Sequence, residues 1–460
     1  MKQKTIKNIV SISGTGIHTG VFTTIRLLPA IEDSGIYFVR KDLDNKPKIK
    51  ADVNNVYSTE RCTKLKEGNA EISTVEHILS AIVGADIDNI IIEADNIEVP
   101  ILDGSAKYYS KIIHEAEIIE LKKDREYFEI KRKISFKDED TGAILTAIPS
   151  NKYQVEVEID YNSRTLKRQK AELKSIEKYN NISDARTFCF MNELEELLER
   201  NLIKGGDLNN AIVIIDNHKE IKKVDKLAHF FNKKDIQINK DGILNNIKLR
   251  YKNEPARHKL LDVIGDLALL GKPIKGKIEA FKPGHKNNIK FTNKLKILMN
   301  EDMKKNAPNI NFKLAPLYNK EKIKSILPHR YPFLFIDEIR EIGDDYIIGV
   351  KYVKEDEEYF QGHFPNEPVM PGVLQLETMA QAGGVLILST VEDPQNYLTF
   401  FMKIDNAKFK QKVTPGDTLV FRLELISPIR RGLCHMHGKG FVNNKIVVEA
   451  DLLAQIAKKE

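Results

Sequence analysis

Residues 371–388 read P-G-V-L-Q-L-E-T-M-A-Q-A-G-G-V-L-I-L, an unusually apolar helix opened by Pro371-Gly372, whose sole ionisable side chain is Glu377. Such a helix belongs inside a fold. Around it lie strand-like runs at Tyr397 to Ile404, Thr418 to Ile426, His435 to Val442 and Lys445 to Ile456, with a short helix expected at Lys320 to Leu327. The simplest architecture is one buried helix wrapped by an antiparallel sheet.

Upstream, the stretch N-E-D-M-K-K-N-A-P-N-I-N-F-K-L-A-P-L-Y-N (Asn300 to Asn319) has the composition of a boundary. Residues 301–319 are therefore expected to link the block 320–460 to what precedes it. Residues 1–125 alternate strand-like runs (Thr24 to Leu27, Ile90 to Glu93) with one helical run, Ser73 to Val83. There Ile72, Val75, Ile78, Leu79 and Ile82 recur at three- and four-residue steps, and a Ser/Thr ahead of Glu76 fits a helix start. Residues 126–300 follow a similar plan, with strands at Tyr153 to Ile159 and Ala211 to Ile215 and helices at Met191 to Arg200 and Ala256 to Leu270. The shared plan suggests duplication, although no clean sequence repeat is seen. The Lys- and Asn-rich segment 217–241 reads as an insertion without chemistry. The fold class is α+β.

A chain of 460 residues exceeds a single hydrophobic core. Its 42% apolar and 30% charged residues describe an ordinary globular protein, not a disordered or membrane one. The net charge of +6 is uneven: residues 319–460 carry 18 Lys/Arg against 20 Asp/Glu, which leaves +8 upstream. That balance suits an anionic substrate, while no dense Lys/Arg tract reads as a nucleic-acid arm. Cys62, Cys189 and Cys434 are too few and too dispersed for a disulfide framework and fit a reducing compartment. The opening Met1 to Ile6 lacks an apolar h-region. The longest apolar stretch, broken by Gln375, Glu377 and Gln381, falls short of a membrane span. A cytoplasmic protein with no integral membrane segment is expected.

Two sets of residues carry chemistry. The first joins S-T-V-E-H (Ser73 to His77) with R-H-K-L-L-D (Arg257 to Asp262). A catalytic zinc takes three His or carboxylate ligands and keeps one position open for water. His258 and Asp262, four apart on a helix, share a face, and His77 completes the set if the two units pack together. Glu76 can then take a proton from the bound water, whose pKa the metal lowers to about 7. Asp266, one turn further on, can orient a second imidazole. His285, in the loop F-K-P-G-H-K, is the candidate general acid. Each piece alone is a common surface pattern; the combination points to a metal hydrolase.

The second set is Q-G-H-F-P (Gln361 to Pro365) followed by Glu377. A carboxyl within an apolar helix suits an acid that must keep its proton, and the free amides where that helix begins favour developing negative charge. His363 and Glu377 form a candidate acid–base pair with no metal ligands around them. Lys408, Lys410 and Lys412 alternate at strand period, which would set a basic face toward an acidic partner; the same pattern also protects edge strands.

The surrounding words resemble two known families. From about residue 3 to 298 the chain resembles UDP-3-O-acyl-N-acetylglucosamine deacetylase, the zinc enzyme that commits lipid A synthesis. The resemblance is carried by G-T-G-I-H-T-G (Gly14 to Gly20), I-S-T-V-E-H (Ile72 to His77), D-N-I-I-I-E (Asp88 to Glu93) and P-I-L-D-G-S-A (Pro100 to Ala106). A-R-T-F (Ala185 to Phe188) and H-K-L-L-D-V-I-G-D-L (His258 to Leu267) complete it. It implies Zn2+ on His77, His258 and Asp262, Glu76 as base and His285 as acid. It further implies Thr187 steadying the oxyanion, Asp266 supporting His285, and Lys259 near the diphosphate of a UDP-linked acylated glucosamine. The implied fold is two α/β units packed helix layer against helix layer, with the metal between them. Cys189 stands where glycine is usual, and the 217–241 insertion lengthens a connection; neither touches a proposed ligand.

Residues 320–457 are similar to 3-hydroxyacyl-ACP dehydratase of the hot-dog fold. The words are L-P-H-R-Y-P-F-L (Leu327 to Leu334), Q-G-H-F-P-N-E-P-V-M-P-G-V-L (Gln361 to Leu374), L-E-T-M-A-Q (Leu376 to Gln381) and V-T-P-G-D (Val413 to Asp417). The resemblance implies His363 as the base that removes the α-proton and Glu377 as the acid for the departing hydroxyl. It assigns Gly372 and Gly384 as amide donors to the thioester carbonyl and an acyl carrier protein as partner. It also implies a homo-oligomer, a dimer at least and commonly a trimer of dimers, because the pair comes from different subunits. A hot-dog block serving mainly as an oligomerisation scaffold for the deacetylase, or acting as a thioesterase, are the other readings.

Overall fold

The computed structural model describes every residue except 200–203, 217–223, 225–235, 240–241, 245–246, 306, 431 and 460, so most of the 217–241 insertion lies outside the described residues. The chain divides into two units, Met1–Met299 and Asn300–Glu460.

The first unit contains the same sheet twice. In one, Val10–Thr15, Phe22–Pro29, Ile90–Ala94, Ile36–Arg40 and Lys48–Lys50 lie side by side in that order; only Ile36–Arg40 and Ile90–Ala94 run parallel. In the other the order is Ile134–Lys137, Ile144–Ile148, Ile274–Phe281, Tyr153–Ile159 and Gln169–Leu173. There Tyr153–Ile159 runs parallel to Ile274–Phe281, and the two-residue strand Phe128–Glu129 adds a sixth member, also parallel to Ile274–Phe281. Ile274–Phe281 alternates buried and half-buried residues along its length, as a strand with one core face must. Parallel neighbours require a crossover connection, and in each sheet that crossover carries a helix. These are α1 (Glu76–Gly84) and, after α2 (Lys107–Glu115), α3 (Glu254–Ala268). α1 packs on α3. The duplication suggested by the shared plan is thus carried by strand order.

Several boundaries differ from expectation. Ser73 ends the strand Ala70–Ser73, its backbone bonded to Ile97 and Val99, and the hydroxyl of Thr74 is given to Glu98. Neither can cap the helix, which begins at Glu76. α2 is a second helix in the first 125 residues, with Tyr109, Ile112 and Ile113 buried at helical spacing. His285 opens the long helix α4 (His285–Lys305) instead of lying in a loop, since the turn ends at Gly284. α4 also takes in the first residues of the expected linker. At the linker's other end Tyr318 pairs with Ile339, and Asn319 caps the helix Lys320–Ile326 by accepting from the Lys322 amide.

In the second unit one six-stranded antiparallel sheet has the order Glu338–Ile342, Tyr346–Tyr352, Thr418–Leu425, Leu433–Val442, Lys445–Lys458 and Tyr397–Phe409. The apolar helix α5 (Gly372–Leu388) packs against it, and Met379, Ala382, Val385 and Leu388 join Ile347, Phe421 and Leu423 in the core. The outer strand Tyr397–Phe409 is different: Phe400, Met402 and Phe409 are each half exposed or more. Among the described residues no helix is long and apolar enough to cross a membrane.

Candidate active sites

The packing of α1 on α3 brings His77, His258 and Asp262 together, with their ligand atoms within 4.8 Å of one another and all three side chains buried. His258 Nε2 lies 3.4 Å and His77 Nε2 3.8 Å from Asp262 Oδ1. The other ring nitrogen of His258 is 3.0 Å from the Ala185 carbonyl. A carbonyl only accepts, so Nδ1 carries the proton and the Nε2 lone pair faces inward. Burial, then the charge of His258, pulls His77 down to about 3. Burial likewise lowers His258. Burial pushes the Asp262 carboxyl up, but Lys259 and the surrounding imidazoles outweigh it and hold the group well below the carboxylate range. Asp262 Oδ1 is buried without a hydrogen-bond partner. The Nε2 atoms of His258 and His77 and the unpartnered Asp262 Oδ1 converge as the donor set of a cation site, so the residues fit a metal.

Glu76 and His285 flank this set. Glu76 Oε2 accepts the Thr63 amide at 3.1 Å, and Oε1 is 3.8 Å from His285 Nε2. Burial raises the Glu76 carboxyl to about 7, poised to exchange a proton near neutrality. His285 Nδ1 is 2.9 Å from Asp266 Oδ2. Asp266 also accepts from the Thr63 hydroxyl (2.6 Å) and Asn288 Nδ2 (2.8 Å). Burial works against charge on His285, but the Asp266 and Glu76 carboxylates outweigh it and raise the imidazole to about 9. Thr63 and Asn288 were not legible as site residues. Asn288 lies three positions after His285, a helical spacing that was there to be read; Thr63 carries no signal of its own.

Thr187 lies in the chain between Ala185, whose carbonyl meets His258, and Phe188, whose ring lies under Lys259. Its backbone is bonded to Gly104 and Ile212, but among the described residues its hydroxyl has no hydrogen bond to the metal-site side chains. Lys259 Nζ donates to Asp262 Oδ2 at 2.9 Å and sits 5.6 Å over the Phe188 ring, so its ammonium is engaged by a candidate ligand. Gly265 explains how the helices come so close. A Cβ there would lie 2.8 Å from the carbonyl carbon of Glu76. Gly265→Ala is therefore expected to push α1 off α3, at an overpacking cost of about 1–3 kcal/mol, and to weaken metal binding by moving His77. Metal content and thermal unfolding check this; native values of both would refute it.

In the second unit His363 Nδ1 is 2.9 Å from the Val369 carbonyl; by the same reasoning Nε2 is left as the basic nitrogen. Glu377 stands on the open side of α5. Its side chain is 19% exposed and lines a cleft with His329, Gly384, Phe400 and Phe401, so it is less enclosed than the helix as a whole suggests. Among the described residues of one chain, His363 and Glu377 share no hydrogen bond or ion pair. Gly372 is the first residue of α5, where amides are free. Gly384 does not match its expected role: it lies inside α5, where the N–H is committed to the helix's own ladder. It serves instead as cleft wall. The lysines are exposed but not evenly aligned. The strand ends at Phe409 after a bulge between Asp405 and Lys408, Lys408 and Lys410 both pair with Glu449, and Lys412 pairs with Glu367.

The family model described as UDP-3-O-acyl N-acetylglycosamine deacetylase matches residues 3–229 and 220–297, and a FabA-like domain matches 327–451. A protein of Porphyromonas gingivalis named bifunctional enzyme LpxC/FabZ is 46% identical over 463 aligned residues, covering 100% of this chain and 99% of that one. Its namesake in Bacteroides thetaiotaomicron is 45% identical, with 100% of both chains covered. The UDP-3-O-acyl-N-acetylglucosamine deacetylase of Helicobacter hepaticus is 39% identical over 297 residues, 64% of this chain and 90% of that one. With both modules matched in order and the relatives aligned from end to end, the chain belongs to the family of bifunctional LpxC/FabZ enzymes.

Proposed function

We propose that the first unit removes the acetyl group from UDP-3-O-[(3R)-hydroxyacyl]-N-acetylglucosamine, and that the second dehydrates (3R)-3-hydroxyacyl groups on an acyl carrier protein to trans-2-enoyl products. The convergence of His77, His258 and Asp262 between Glu76 and His285 carries the first assignment. Zinc suits this mixed nitrogen and oxygen set and, when bound, supplies Lewis acidity and an acidified water. Glu76 takes a proton from the attacking water as its oxygen bonds to the acetamide carbon. His285, held by Asp266 with Nε2 turned inward, delivers a proton to the departing nitrogen as the C–N bond breaks, leaving acetate and the free amine. The Thr187 hydroxyl, unengaged by the site side chains, is available to the oxyanion. Lys259 extends the positive field toward the diphosphate.

In the second unit His363 takes the proton from C2 and Glu377 returns one to the leaving hydroxyl, with the Gly372 amide facing the thioester oxygen. The carrier, an acidic protein, would approach the exposed lysines near 408–412. The enzyme would work in the cytoplasm as a homo-oligomer of at least two chains joined through the hot-dog unit, a reading supported by the exposed Phe400, Met402 and Phe409 of its edge strand.

The Glu76→Ala variant tests the first assignment. It removes a proton acceptor and no ligand, so metal content should stay stoichiometric while deacetylase kcat falls about 10²–10⁴-fold. Loss of the metal in this variant would make Glu76 a ligand and overturn the mechanism.

A further inference from the structure

A carboxylic acid has two oxygens, and only one can hold the proton it transfers. Both polar neighbours of Glu377 fall on the same one: Gln381 Nε2 is 2.9 Å and His329 Nε2 3.5 Å from Oε1. Gln381 cannot be turned around. Its own oxygen accepts the amides of Phe335 (2.8 Å) and Ile336 (3.2 Å), and its nitrogen also donates to the Phe333 carbonyl at 2.7 Å; only that nitrogen is left to meet Glu377. An amide nitrogen cannot accept, so the oxygen it touches is held as an acceptor. His329 acts in the same sense. Its Nδ1 is buried without a partner, and burial lowers the ring's pKa against the pull of Glu377. Nε2 faces Glu377 Oε1 at 3.5 Å, an approach at the outer limit of a hydrogen bond, while Nδ1 has no partner to hold the proton, so the ring proton is assigned to Nε2. His329 comes from L-P-H-R-Y-P, a motif to which the reaction above gives no task, and it lines the same cleft as Glu377.

We propose that His329, with Gln381, is a positioning residue that caps Oε1 of Glu377 and confines the acid's proton to Oε2, which no described residue bonds. The inference rests on Glu377 being the dehydratase acid. In the reaction the Oε2–H bond breaks and its proton goes to the 3-hydroxyl oxygen, which leaves as water with the electron pair of the C3–O bond. The C2 proton passes to His363 Nε2, its electron pair forms the C2=C3 bond, and the proton then returns from His363 to Glu377 through solvent.

Full-length native chain, His329→Ala, Glu377→Gln and the double variant would be compared on a (3R)-3-hydroxyacyl thioester. His329→Ala should lose about tenfold in kcat with KM within about twofold, and His329→Gln, whose amide nitrogen reaches toward the same oxygen, should recover most of the loss. In the Glu377→Gln background His329→Ala should change nothing, because the two act as one unit. If the alanine chain misfolds, His329→Leu, which fills the space without donating, carries the comparison. An equal loss in both backgrounds, or a loss confined to KM, overturns the proposal. An inert His329→Ala beside a dead Glu377→Gln overturns this proposal alone; a fully active Glu377→Gln overturns the acid assignment with it.

Discussion

Asp262→Ala is expected to strip the metal from the first unit and abolish deacetylation while dehydration by the second unit continues unchanged. Asp262 is the sole carboxylate of the set, and its Oδ1 stands between the two imidazole nitrogens. Without it two nitrogens remain. Loss of outer-sphere partners alone weakens metal sites about 10–100-fold, so loss of a direct ligand should exceed about 100-fold. The change also strands the Lys259 ammonium, which now pairs with Asp262, and an uncompensated buried charge destabilises its surroundings. Asp262→Asn, equal in volume, keeps the packing and an acceptor for Lys259 while removing the anionic ligand. Zinc would be measured by elemental analysis of purified full-length protein, with dehydratase rate as the internal sign of an intact chain. Stoichiometric zinc with normal deacetylase turnover in Asp262→Ala would sink the ligand assignment.

What the sequence made legible follows the range of the physics involved. α1 is readable because its apolar residues recur at helical spacing, and α5 because it is apolar almost throughout and opened by Pro371-Gly372. The metal set was readable because His258 and Asp262 share one helical face. The duplicated strand order was not, since it resides in which strands hydrogen-bond and not in which residues recur. The sequence reads His285 as a loop residue because Pro283-Gly284 marks a turn, and no capping residue ahead of α4 marks where the turn ends. Thr63 was invisible: it reaches Asp266 across 203 residues of chain. Glu377 was found, but its setting was taken from the average of an apolar helix. Glu377 and Gln381 are four apart and share a face, a narrow polar stripe that the average hides. Gly384 was assigned from resemblance alone, and its place in the middle of α5 removes the free amide the role requires.

Chains carrying His363→Ala and chains carrying Glu377→Gln should each be nearly inactive as dehydratases, about 10²–10⁴-fold down, yet should regain activity when co-expressed. Within one chain the two residues share no hydrogen bond or ion pair, and each site is taken to draw one of them from a second chain, as the resemblance to the dehydratases implies. The cleft holding Glu377 is walled by Phe400 and Phe401. These belong to the edge strand Tyr397–Phe409, where Phe400 is 51% and Met402 55% exposed. An uncovered apolar edge of this kind is an interface in waiting, and whatever covers it also overhangs the cleft. His363 is prepared for that role from the other side, stacked on Phe364, whose ring is 54% exposed. In a two-fold dimer each site would pair His363 of one chain with Glu377 of the next. Random mixing makes half of the dimers mixed, and each mixed dimer holds one site with both native residues and one with neither. Activity should therefore return to about a quarter of native. Deacetylase rate, unaffected by either substitution, normalises for the amount of folded protein. Mixtures that stay as inactive as either variant alone would mean that His363 and Glu377 meet within a single chain, and that the exposed edge strand serves some other contact.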